Sequence, residues 1–362
     1  MKKVILGTTA LVAAGAFVAG PASAAEKIKL GVGGYMQSTY FYQDTDEPAG
    51  TADRISDRVT QEGEIFFTGS TTLDNGLKFG VNVQLEAYQA TDQIDETYVY
   101  VQGSFGRVLL GSEDSAGYLM HYTSPSPVPM YSADSANIYP TGQGNTTRPN
   151  MFADTDKISY FTPRFAGFQL GASYVPNADS ESGQASQYAA PAFESGRDRG
   201  YSIAANYVNK FNKVDVAISA GYQHADTVVG TVGTVVFGGE DQTEYSFGTS
   251  VGFAGFTVGG GYSKDNDING VNNNDSKAWS AGLKYGMGPW AVGVQYSKTT
   301  LQPAAGGDTD QTTWIVGGQY TLGPGITAFG GIQFDDNDLT ASTAGRIAGE
   351  TSTFFVGTAL SF

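Results

Sequence analysis

Side chains that commonly carry enzyme chemistry are scarce in this sequence, which has two histidines, His121 and His224, and no cysteine. A hydrolase needs a serine within hydrogen-bonding reach of a histidine base. Neither histidine falls in a clear strand pattern beside a serine partner, and both are interpreted as loop residues. Without cysteine there is no disulfide and no thiolate-bound metal. The sequence therefore predicts a protein that is not an enzyme and holds no cofactor.

One short segment has the spacing of a metal-binding loop. The run from Asp265 to Gly270 matches the first half of a calcium loop, with Asp265, Asp267 and Asn269 at alternate positions. The twelfth position would be Ser276 instead of the usual glutamate, and no helices are predicted on either side. We interpret the run as a solvated hairpin loop. A weak calcium site, or one that bridges lipopolysaccharide, is the alternative.

Charged and amide side chains recur at every second position of several segments. Between residues 77 and 88, Lys78, Asn82, Gln84 and Glu86 alternate with apolar residues. A strand places alternate side chains on opposite faces, so these polar groups share one face. They would be costly against hydrocarbon but are solvated in a water-filled interior. The same inward face is predicted for Lys29, Arg58, Glu62, Glu64, Arg107, Lys284, Gln295 and Gln333. Such groups act on passing solutes through their electric field.

The apolar half of this alternation is clearest at the carboxyl end. Phe354, Val356, Leu360 and Phe362 occupy alternate positions and would form one apolar strand face. In a soluble sandwich, an apolar and unpaired last strand promotes aggregation. In a closed membrane barrel the same face contacts lipid, and the strand pairs with the first one. We therefore expect a transmembrane β-barrel.

Short and long connections alternate along the chain, and together they predict the number of strands. The short turns are rich in residues that tolerate tight geometry, and we place them on the periplasmic side. They are 74–76, 104–105, 165–167, 211–213, 254–255, 287–289 and 323–325. The long loops run over 43–58, 90–94, 112–154, 176–199, 224–242, 264–276, 300–311 and 335–350. This order predicts an all-β, 16-stranded antiparallel barrel, a size that leaves an aqueous channel.

The amino-terminal residues indicate export. Lys2 and Lys3 precede an apolar run, and Ala22-Ser23-Ala24 has the small residues of a cleavage site. We predict a secretory signal peptide at 1–24 and a barrel at 25–362. Removing Lys2 and Lys3 takes the formal net charge from -16 to -18. Such an acidic chain is a poor partner for nucleic acid, whose phosphates require Lys and Arg.

The third long loop, 112–154, is unusual in length and composition. It spans about 43 residues, far more than an ordinary hairpin connection. Its tyrosines and prolines are poorly explained by a solvated, disordered loop, which would be low in aromatic residues. We expect this loop to fold into the barrel, pack against the wall and narrow the channel.

The mature chain resembles the Gram-negative general porin family, most closely its alphaproteobacterial type. The matching features are the run 29–35 (Lys-Leu-Gly-Val-Gly-Gly-Tyr), the segment 106–114 that leads into the third loop, and the terminal Phe362. The resemblance implies a homotrimer of 16-stranded barrels in the outer membrane of a Gram-negative bacterium, surrounded by lipid and lipopolysaccharide.

The resemblance also implies that acidic side chains of the third loop face a basic cluster on the opposite wall. Carried onto this chain, the acidic candidates are Glu113, Asp114 and Asp134. The basic candidates are Arg54, Arg58, Lys78 and Arg107. Opposed charges across a narrow neck would orient polar solutes and penalise apolar ones, and the net charge favours cations.

The sequence therefore predicts a porin that lets small hydrophilic solutes and ions diffuse passively. Two alternatives remain open: a substrate-selective channel, or a structural or adhesive surface barrel whose lumen is closed. A selective channel would show saturable block by one solute, and a closed barrel would show no conductance.

Overall fold

The computed structural model describes residues 27–46, 56–87, 94–129, 131–135, 146–178, 197–227, 229–232, 235–338 and 348–362. The predicted signal peptide at 1–24 and the basic candidate Arg54 lie outside these ranges, so both stay predictions. Among the described residues, no helix is both long and apolar enough to cross a membrane.

Antiparallel strands make up nearly all of the described chain. Their bounds are β1 Lys29–Asp46, β2 Asp57–Thr72, β3 Lys78–Glu86, β4 Ile94–Gly103, β5 Gly106–Ser112, β6 Asp156–Phe161, β7 Phe168–Val175, β8 Arg197–Phe211, β9 Val214–Thr227, β10 Val229–Val232, β11 Val235–Gly238, β12 Gln242–Phe253, β13 Phe256–Asn266, β14 Asp275–Met287, β15 Trp290–Gln302, β16 Thr309–Gly323, β17 Ile326–Asn337 and β18 Gly349–Ser361. Within the described ranges, sixteen of these close into one barrel, and β10 and β11 form a separate hairpin. The predicted fold class and strand number are confirmed.

The short connections lie where the sequence places them. Each joins strands that are neighbours in the barrel, and the turn between β12 and β13 shows why its residues suit it. Ala254 and Gly255 have φ angles of 50° and 88°, the left-handed geometry of a two-residue hairpin turn. This turn geometry matches the right-handed twist of the two strands that it joins.

Alternation separates an apolar outer face from a polar inner face. In β18, Phe354 and Val356 are about half exposed, whereas Thr351 and Thr353 are buried. On β15 and β17, Gln295 and Gln333 are completely buried on the inner face. Because lipid covers the exposed apolar face of a membrane barrel, this pattern is the one such a barrel requires.

The last strand closes the barrel against the first one. β18 pairs with β1 along its length, from Glu350 opposite Asp46 to Ser361 opposite Tyr35. The backbone of Phe362 continues this pairing, since its N–H donates to the carbonyl oxygen of Gly34 at 3.0 Å and its own oxygen accepts from the N–H of Gly34 at 2.9 Å. Closure therefore leaves no unpaired edge between these two strands.

The connection between β5 and β6, residues 113–155, is here called the inner segment. Its described residues include a short helix, α1 Ala116–Leu119, and several side chains that pack on the barrel's inner face. Tyr131 lies against Phe355 of β18, with ring centroids 4.3 Å apart, and against Phe41 of β1 at 5.9 Å. The buried apolar cluster at this contact comprises Phe41, Val128, Tyr131, Ala133, Ile315, Phe329 and Phe355.

Candidate functional site

The helix of the inner segment and its N-cap Ser115 are hydrogen-bonded to three neighbouring strands, through serines of β7 and β8 and a glutamine of β9. The backbone N–H of Ala116 donates to Ser173 Oγ of β7 at 2.9 Å, and that of Gly117 donates to Ser202 Oγ of β8 at 2.9 Å. Gln223 of β9 donates from Nε2 to Ser115 Oγ at 3.1 Å. Small inward serines suit this role because they satisfy the first N–H groups of the helix and leave room for its backbone.

Beyond the helix, the segment is hydrogen-bonded to further strands around the wall. Lys284 of β14 donates to the carbonyl oxygen of Ser126 at 3.0 Å. Both ends of the Gln295 amide, on β15, bond the segment: Nε2 donates to Ser124 Oγ at 2.8 Å, and Oε1 accepts from the N–H of Ala133 at 2.8 Å. The hydroxyl of Tyr131 donates to Gln333 of β17. The described part of the segment is therefore hydrogen-bonded along the inner face from β7 to β17, and the ring of Tyr131 extends its contacts to β18 and β1.

A row of inward glycines on successive strands provides the space for this path. A Cβ atom on Gly248 of β12 would overlap the carbonyl oxygen of Tyr122. On Gly259 of β13 it would lie 2.6 Å from the Thr123 oxygen, and on Gly293 of β15 it would lie 3.2 Å from Pro127 Cα. Glycine permits a second backbone to approach a strand this closely. The glycine row comprises Gly248, Gly259, Gly282, Gly293 and Gly317.

Asp134, one of the three predicted acidic candidates, is 4% exposed and fully hydrogen-bonded. Its carboxylate accepts from the N–H and the hydroxyl of Thr147, both at 2.6 Å, and from Ser280 Oγ of β14 at 2.7 Å. The hydroxyl of Thr123 also donates to it. This arrangement joins two stretches of the segment to the wall and turns the charge away from water.

The returning half of the segment is also attached to the barrel. The guanidinium of Arg197 of β8 donates to the carbonyl oxygen of Met151. Phe152 packs with Met151 in a buried apolar cluster whose other members are Val175, Ala178 and Ala225. Lys157 of β6 donates to the carbonyl oxygens of Ala153 at 2.8 Å and Thr155 at 2.5 Å, and also to that of Glu113.

The other two acidic candidates lie at the start of the inner segment. Glu113 is 6% exposed, and burial raises the pKa of its carboxyl. It contacts Tyr98 of β4 and lies near Lys157 and Arg107, which act in the opposite direction on that pKa. Burial likewise raises the pKa of Asp114 well above its usual value, and the nearby carboxylates of Asp154 and Glu113 add to the effect.

Strands β2 to β4 place five carboxylates on the inner face, here called the acidic wall: Glu62, Glu64, Glu86, Asp95 and Glu96. Oxygens of Glu64, Asp95 and Glu96 lie within 4.8 Å of one another. The hydroxyl of Tyr35 donates to Glu64 Oε1 at 2.7 Å. This wall lies on the part of the barrel that adjoins β5, where the inner segment begins.

Asp95 and Glu96 were not among the sequence's candidates, since the sequence predicts a loop up to residue 94 and no face for the two residues after it. Glu96 has the strand parity of the buried Tyr98. The shifted β3–β4 register between Val83 and Leu85 places Asp95 beside Glu96. Two consecutive acidic residues opposite an alternating strand are the signal that could have indicated a bulge. The glycine row also has a signal in the sequence, namely a glycine at an inward position on each of several successive strands.

The basic candidates within the described residues do not form one cluster. Lys78 opens β3 and pairs with Thr72 at the short-turn end of β2, whereas Arg58 lies near the opposite end of β2. Arg107 of β5 lies over the ring of Tyr100, with its guanidinium carbon 4.4 Å from the centroid. Lys78 and Arg107 are both in register with Gln102 of β4 at the short-turn end of the wall, so Arg58 is separated from the other two.

The residues of the possible calcium loop are engaged by hydrogen bonds within the loop and with Gln242 of the neighbouring strand β12. The carboxylate of Asp265 accepts from Gln242 Nε2 at 2.9 and 2.8 Å, and Asp267 Oδ1 accepts from the N–H of Asn273 at 2.8 Å. Asn269 donates its backbone N–H to Gln242 Oε1 at 3.4 Å. Hydrogen bonds of this kind suit a hairpin loop without a metal, which is the interpretation favoured by the sequence.

Of the two histidines, only one lies in a loop as interpreted from the sequence. His224 lies inside strand β9, because the strand extends beyond its predicted end at residue 224. His121 lies in the inner segment and is buried, with Nε2 3.3 Å from Thr147 Oγ1. Burial lowers the pKa of His121 to about 4, which keeps the ring neutral near pH 7.

Comparisons with known proteins are consistent with this geometry. A family model described as "Gram-negative porin" matches residues 7–340. A curated "Monosaccharide porin" of Halomonas sp is 25% identical over 230 residues, which cover 59% of this chain and 60% of the relative. The chain therefore spans about 60% of the length of the curated relatives that it matches.

Solved structures match over nearly the whole chain. An anion-selective porin from Comamonas acidovorans has a TM-score of 0.62 at 19% identity, covering 93% of this chain and 100% of that one. Salmonella typhi OmpF has a TM-score of 0.65 at 12% identity, covering 92% of this chain and 97% of that one. At these identities the likeness shows the fold.

Proposed function

The chain belongs to the Gram-negative porin family, and we propose that it forms a water-filled channel in the outer membrane for passive diffusion of small hydrophilic solutes and ions. One observation carries this proposal. The inner segment is hydrogen-bonded along the inner face from β7 to β17 and reaches β18 and β1 through Tyr131, while the acidic wall lies on β2 to β4. Solutes would pass between the two, because charged side chains on this face are stable only beside water.

The inner segment forms the neck of this channel in our proposal. Its hydrogen bonds to the barrel, together with the apolar contacts of Tyr131 and Phe152, would keep it in one place as solutes pass. An attached segment gives the neck a defined diameter, which sets the size limit. Family membership and fold are those of a channel, and covalent chemistry has no role in this mechanism.

We further propose that the acidic wall makes the channel prefer cations. Five carboxylates on β2 to β4 create a negative potential along the path, and a narrow neck between low-dielectric walls strengthens it. Arg58, Lys78 and Arg107 oppose this potential, but Lys78 and Arg107 lie at the short-turn end of the wall, on either side of Gln102, and Arg58 lies at the opposite end of β2. The acidic wall, rather than the buried Asp134, is the charge that passing ions would meet.

Single-channel recording in planar bilayers with a salt gradient tests this function. The wild-type channel should conduct, with a reversal potential that indicates cation preference. Replacing Glu64→Gln and Glu96→Gln together should lower the cation-to-anion permeability ratio, because it removes negative charge from the wall. Asp308→Asn is the matched control, because Asp308 lies on an exposed loop and bonds Gln302 at 3.0 Å.

An absence of conductance would contradict the proposed function and favour the closed structural barrel. Conductance with equal shifts for the control and for the wall variants would contradict only the role of the acidic wall. In that case selectivity would follow the net charge of the chain, wherever each charge lies.

A substrate-selective channel is the second candidate. One curated relative is a monosaccharide porin, and aromatic rings accompany the inward charges here. Tyr35 lies 6.0 Å from Phe66 between centroids, and Arg107 lies over Tyr100. Aromatic faces beside polar groups can hold a small solute in a preferred orientation. Saturable block of the current by one monosaccharide, but not by another of equal size, would favour this candidate.

We also propose a homotrimer, surrounded by outer-membrane lipid and lipopolysaccharide. Strands β5, β6 and β7 have 7, 6 and 8 residues, whereas β1 and β2 have 18 and 16. A strand needs about 9 to 11 residues to cross the hydrocarbon layer. The short strands leave part of the wall too low to span the membrane alone. A second copy of the chain packed on this face would cover it.

A further inference from the structure

The outer face of the barrel carries a second cluster of charged residues, away from the lumen. It lies at the long-loop ends of β8, β9 and β12 and contains His224, Asp226 and Asp241. In β9, Ile218 is half exposed on the lipid-facing side, and His224 and Asp226 have the same strand parity. Asp241 directly precedes β12, whose Gln242 pairs with Ala225. The three side chains therefore meet on the outer surface.

The ligand-type atoms of these residues converge. His224 Nε2 lies 3.2 Å from Asp226 Oδ1 and 3.9 Å from Asp241 Oδ2, and the three atoms lie within 4.8 Å of one another. The imidazole ring is held on one side by Tyr201 of β8, with ring centroids 5.2 Å apart. The side chain of His224 is 21% exposed, whereas the two aspartates are about half exposed.

We propose that His224, Asp226 and Asp241 bind one divalent transition-metal ion such as Zn²⁺. Imidazole nitrogen and carboxylate oxygen are both zinc ligands, with bonds of about 2.0 to 2.2 Å. Calcium and magnesium prefer oxygen ligands alone, so the histidine selects against them. Three protein ligands leave at least one coordination position for water on the exposed side.

A simple hydrogen bond between His224 and Asp226 accounts for only part of this geometry. It leaves unexplained why a second carboxylate, Asp241, lies beside the first, since like charges at this distance repel. Arg199 Nε is 3.7 Å from Asp226 Oδ2, but the guanidinium also bonds Asp198 at 3.2 Å and its side chain is 58% exposed. Arg199 can therefore turn towards solvent, and it acts as a competitor for Asp226.

The position of the site gives the ion a structural role. His224 and Asp226 end one barrel strand, and Asp241 begins the next barrel strand after the connection that includes β10 and β11. An ion bound to all three would join the two ends of this connection. Because a ligand that binds only the folded state stabilises it, the barrel should become more resistant to unfolding as the metal concentration rises.

Titration of the full, untagged chain with Zn²⁺ tests the proposal. A polyhistidine tag must be absent because it binds the same ions. Isothermal titration calorimetry on folded, chelator-treated protein in detergent should give one Zn²⁺ per chain. His224→Gln and Asp241→Asn should each weaken binding at least about tenfold, the scale on which even outer-shell substitutions act. Arg199→Gln should tighten binding, because it removes the competing cation.

Asp215→Asn is the matched control. Asp215 lies at the other end of β9, is paired with Lys210 at 2.6 Å, and should leave the affinity unchanged. Bound Cu²⁺ offers a second readout, since its electron paramagnetic resonance spectrum should show nitrogen coupling that His224→Gln removes. An absence of binding to the folded wild-type chain would overturn the proposal. Binding that survives both His224→Gln and Asp241→Asn would also overturn it.

Discussion

At the scale of single residues, Asp134 shows that a charged side chain in a channel can serve attachment instead of selectivity. The sequence placed it among the acids that face the solute, but its carboxylate accepts hydrogen bonds from Thr123, Thr147 and Ser280. All three donors are neutral, so the negative charge is stabilised by their dipoles. A buried carboxylate of this kind holds two stretches of chain together.

Replacing Asp134→Asn should loosen the inner segment and change ion selectivity little. The amide has the size of the carboxylate, but its NH₂ group is a donor. It would face hydroxyl and backbone N–H groups that already donate to this position. Leaving a buried donor unmatched costs about 1 to 3 kcal/mol. Limited proteolysis should therefore cut the inner segment of the variant faster than that of wild type. A large shift in reversal potential without faster cleavage would show that Asp134 faces the solute.

His121 should make the attachment of the inner segment depend on pH. Its pKa is about 4 in the attached state because of burial, and Asp134 and Arg148 nearby act in opposite directions on it. A detached segment would have a histidine pKa near 6.5 and bind more protons between these values. Attachment should therefore weaken as pH falls from about 6.5 to 4, by up to about 3 kcal/mol.

Hydrogen exchange of the inner segment at pH 7 and pH 5 would measure this effect. Glu113 and Asp114 act oppositely, because their raised pKa values favour the attached state on acidification. Comparing wild type with His121→Gln cancels their contribution. Wild type should lose more protection than the variant between the two pH values. Equal losses would mean that His121 is not the group that responds.

At the scale of elements, the inner segment and the inner face of the barrel are complementary in shape and in hydrogen bonding. Strand residues on the inner face alternate between hydrogen-bonding side chains, such as Ser173, Ser202 and Gln295, and glycines that admit backbone. The inner faces of these strands therefore determine where the inner segment lies, although the segment precedes most of them in the sequence. Serines satisfy its N–H groups, and the glycine row sets its distance from the wall.

Gly248→Ala should displace the inner segment, whereas Gly252→Ala should not. Both glycines lie on β12 with the same strand parity, but a Cβ on Gly248 overlaps Tyr122, and one on Gly252 lies 3.5 Å from Asp215 Cβ. Forcing an extra methyl group into such packing costs about 1 to 3 kcal/mol. Single-channel conductance and protease cleavage of the segment should change only for Gly248→Ala. Equal behaviour of the two variants would contradict the described contact.

At the scale of the whole molecule, the barrel wall is uneven. The long strands from β12 to β18 carry half-exposed apolar and aromatic residues over most of their length, as a lipid-facing surface requires. Between β5 and β7 the wall is shorter, and its outward residues include Leu110, Ile158 and Leu170. This asymmetry indicates which side of the barrel would face a second copy.

Leu110→Arg should lower the proportion of trimer, whereas Val292→Arg should not. Leu110 lies outward on β5 and Val292 outward on β15, and their exposed fractions are both 54%. An arginine buried between protomers lacks a partner, while one facing lipid costs about 2 to 4 kcal/mol of barrel stability. Electrophoresis of unheated samples would separate the two effects. Loss of trimer in both variants would mean that the interface lies elsewhere, or that the trimer is lost because the barrel itself is less stable.

The sequence by itself determined the strands, the turns and the closed barrel of sixteen. These features depend on neighbours in the chain: alternation along β18 separates the two faces, and the left-handed geometry at Ala254 and Gly255 makes a tight turn. Each such signal is local, so it can be detected without knowing which residues meet in space. Next to the shifted register of β3 and β4, the sequence assigned no face to Asp95 and Glu96.

Only the tertiary structure decided which chemical groups lie together. The hydroxyl of Tyr131 reaches Gln333, 202 residues away along the chain, and Ser280 reaches Asp134 across 146 residues. The shifted β3–β4 register brings Asp95 and Glu96 together in the acidic wall, and strand pairing brings His224 beside Asp241. Contacts at such separations arise from barrel closure, and no periodicity of the sequence encodes them.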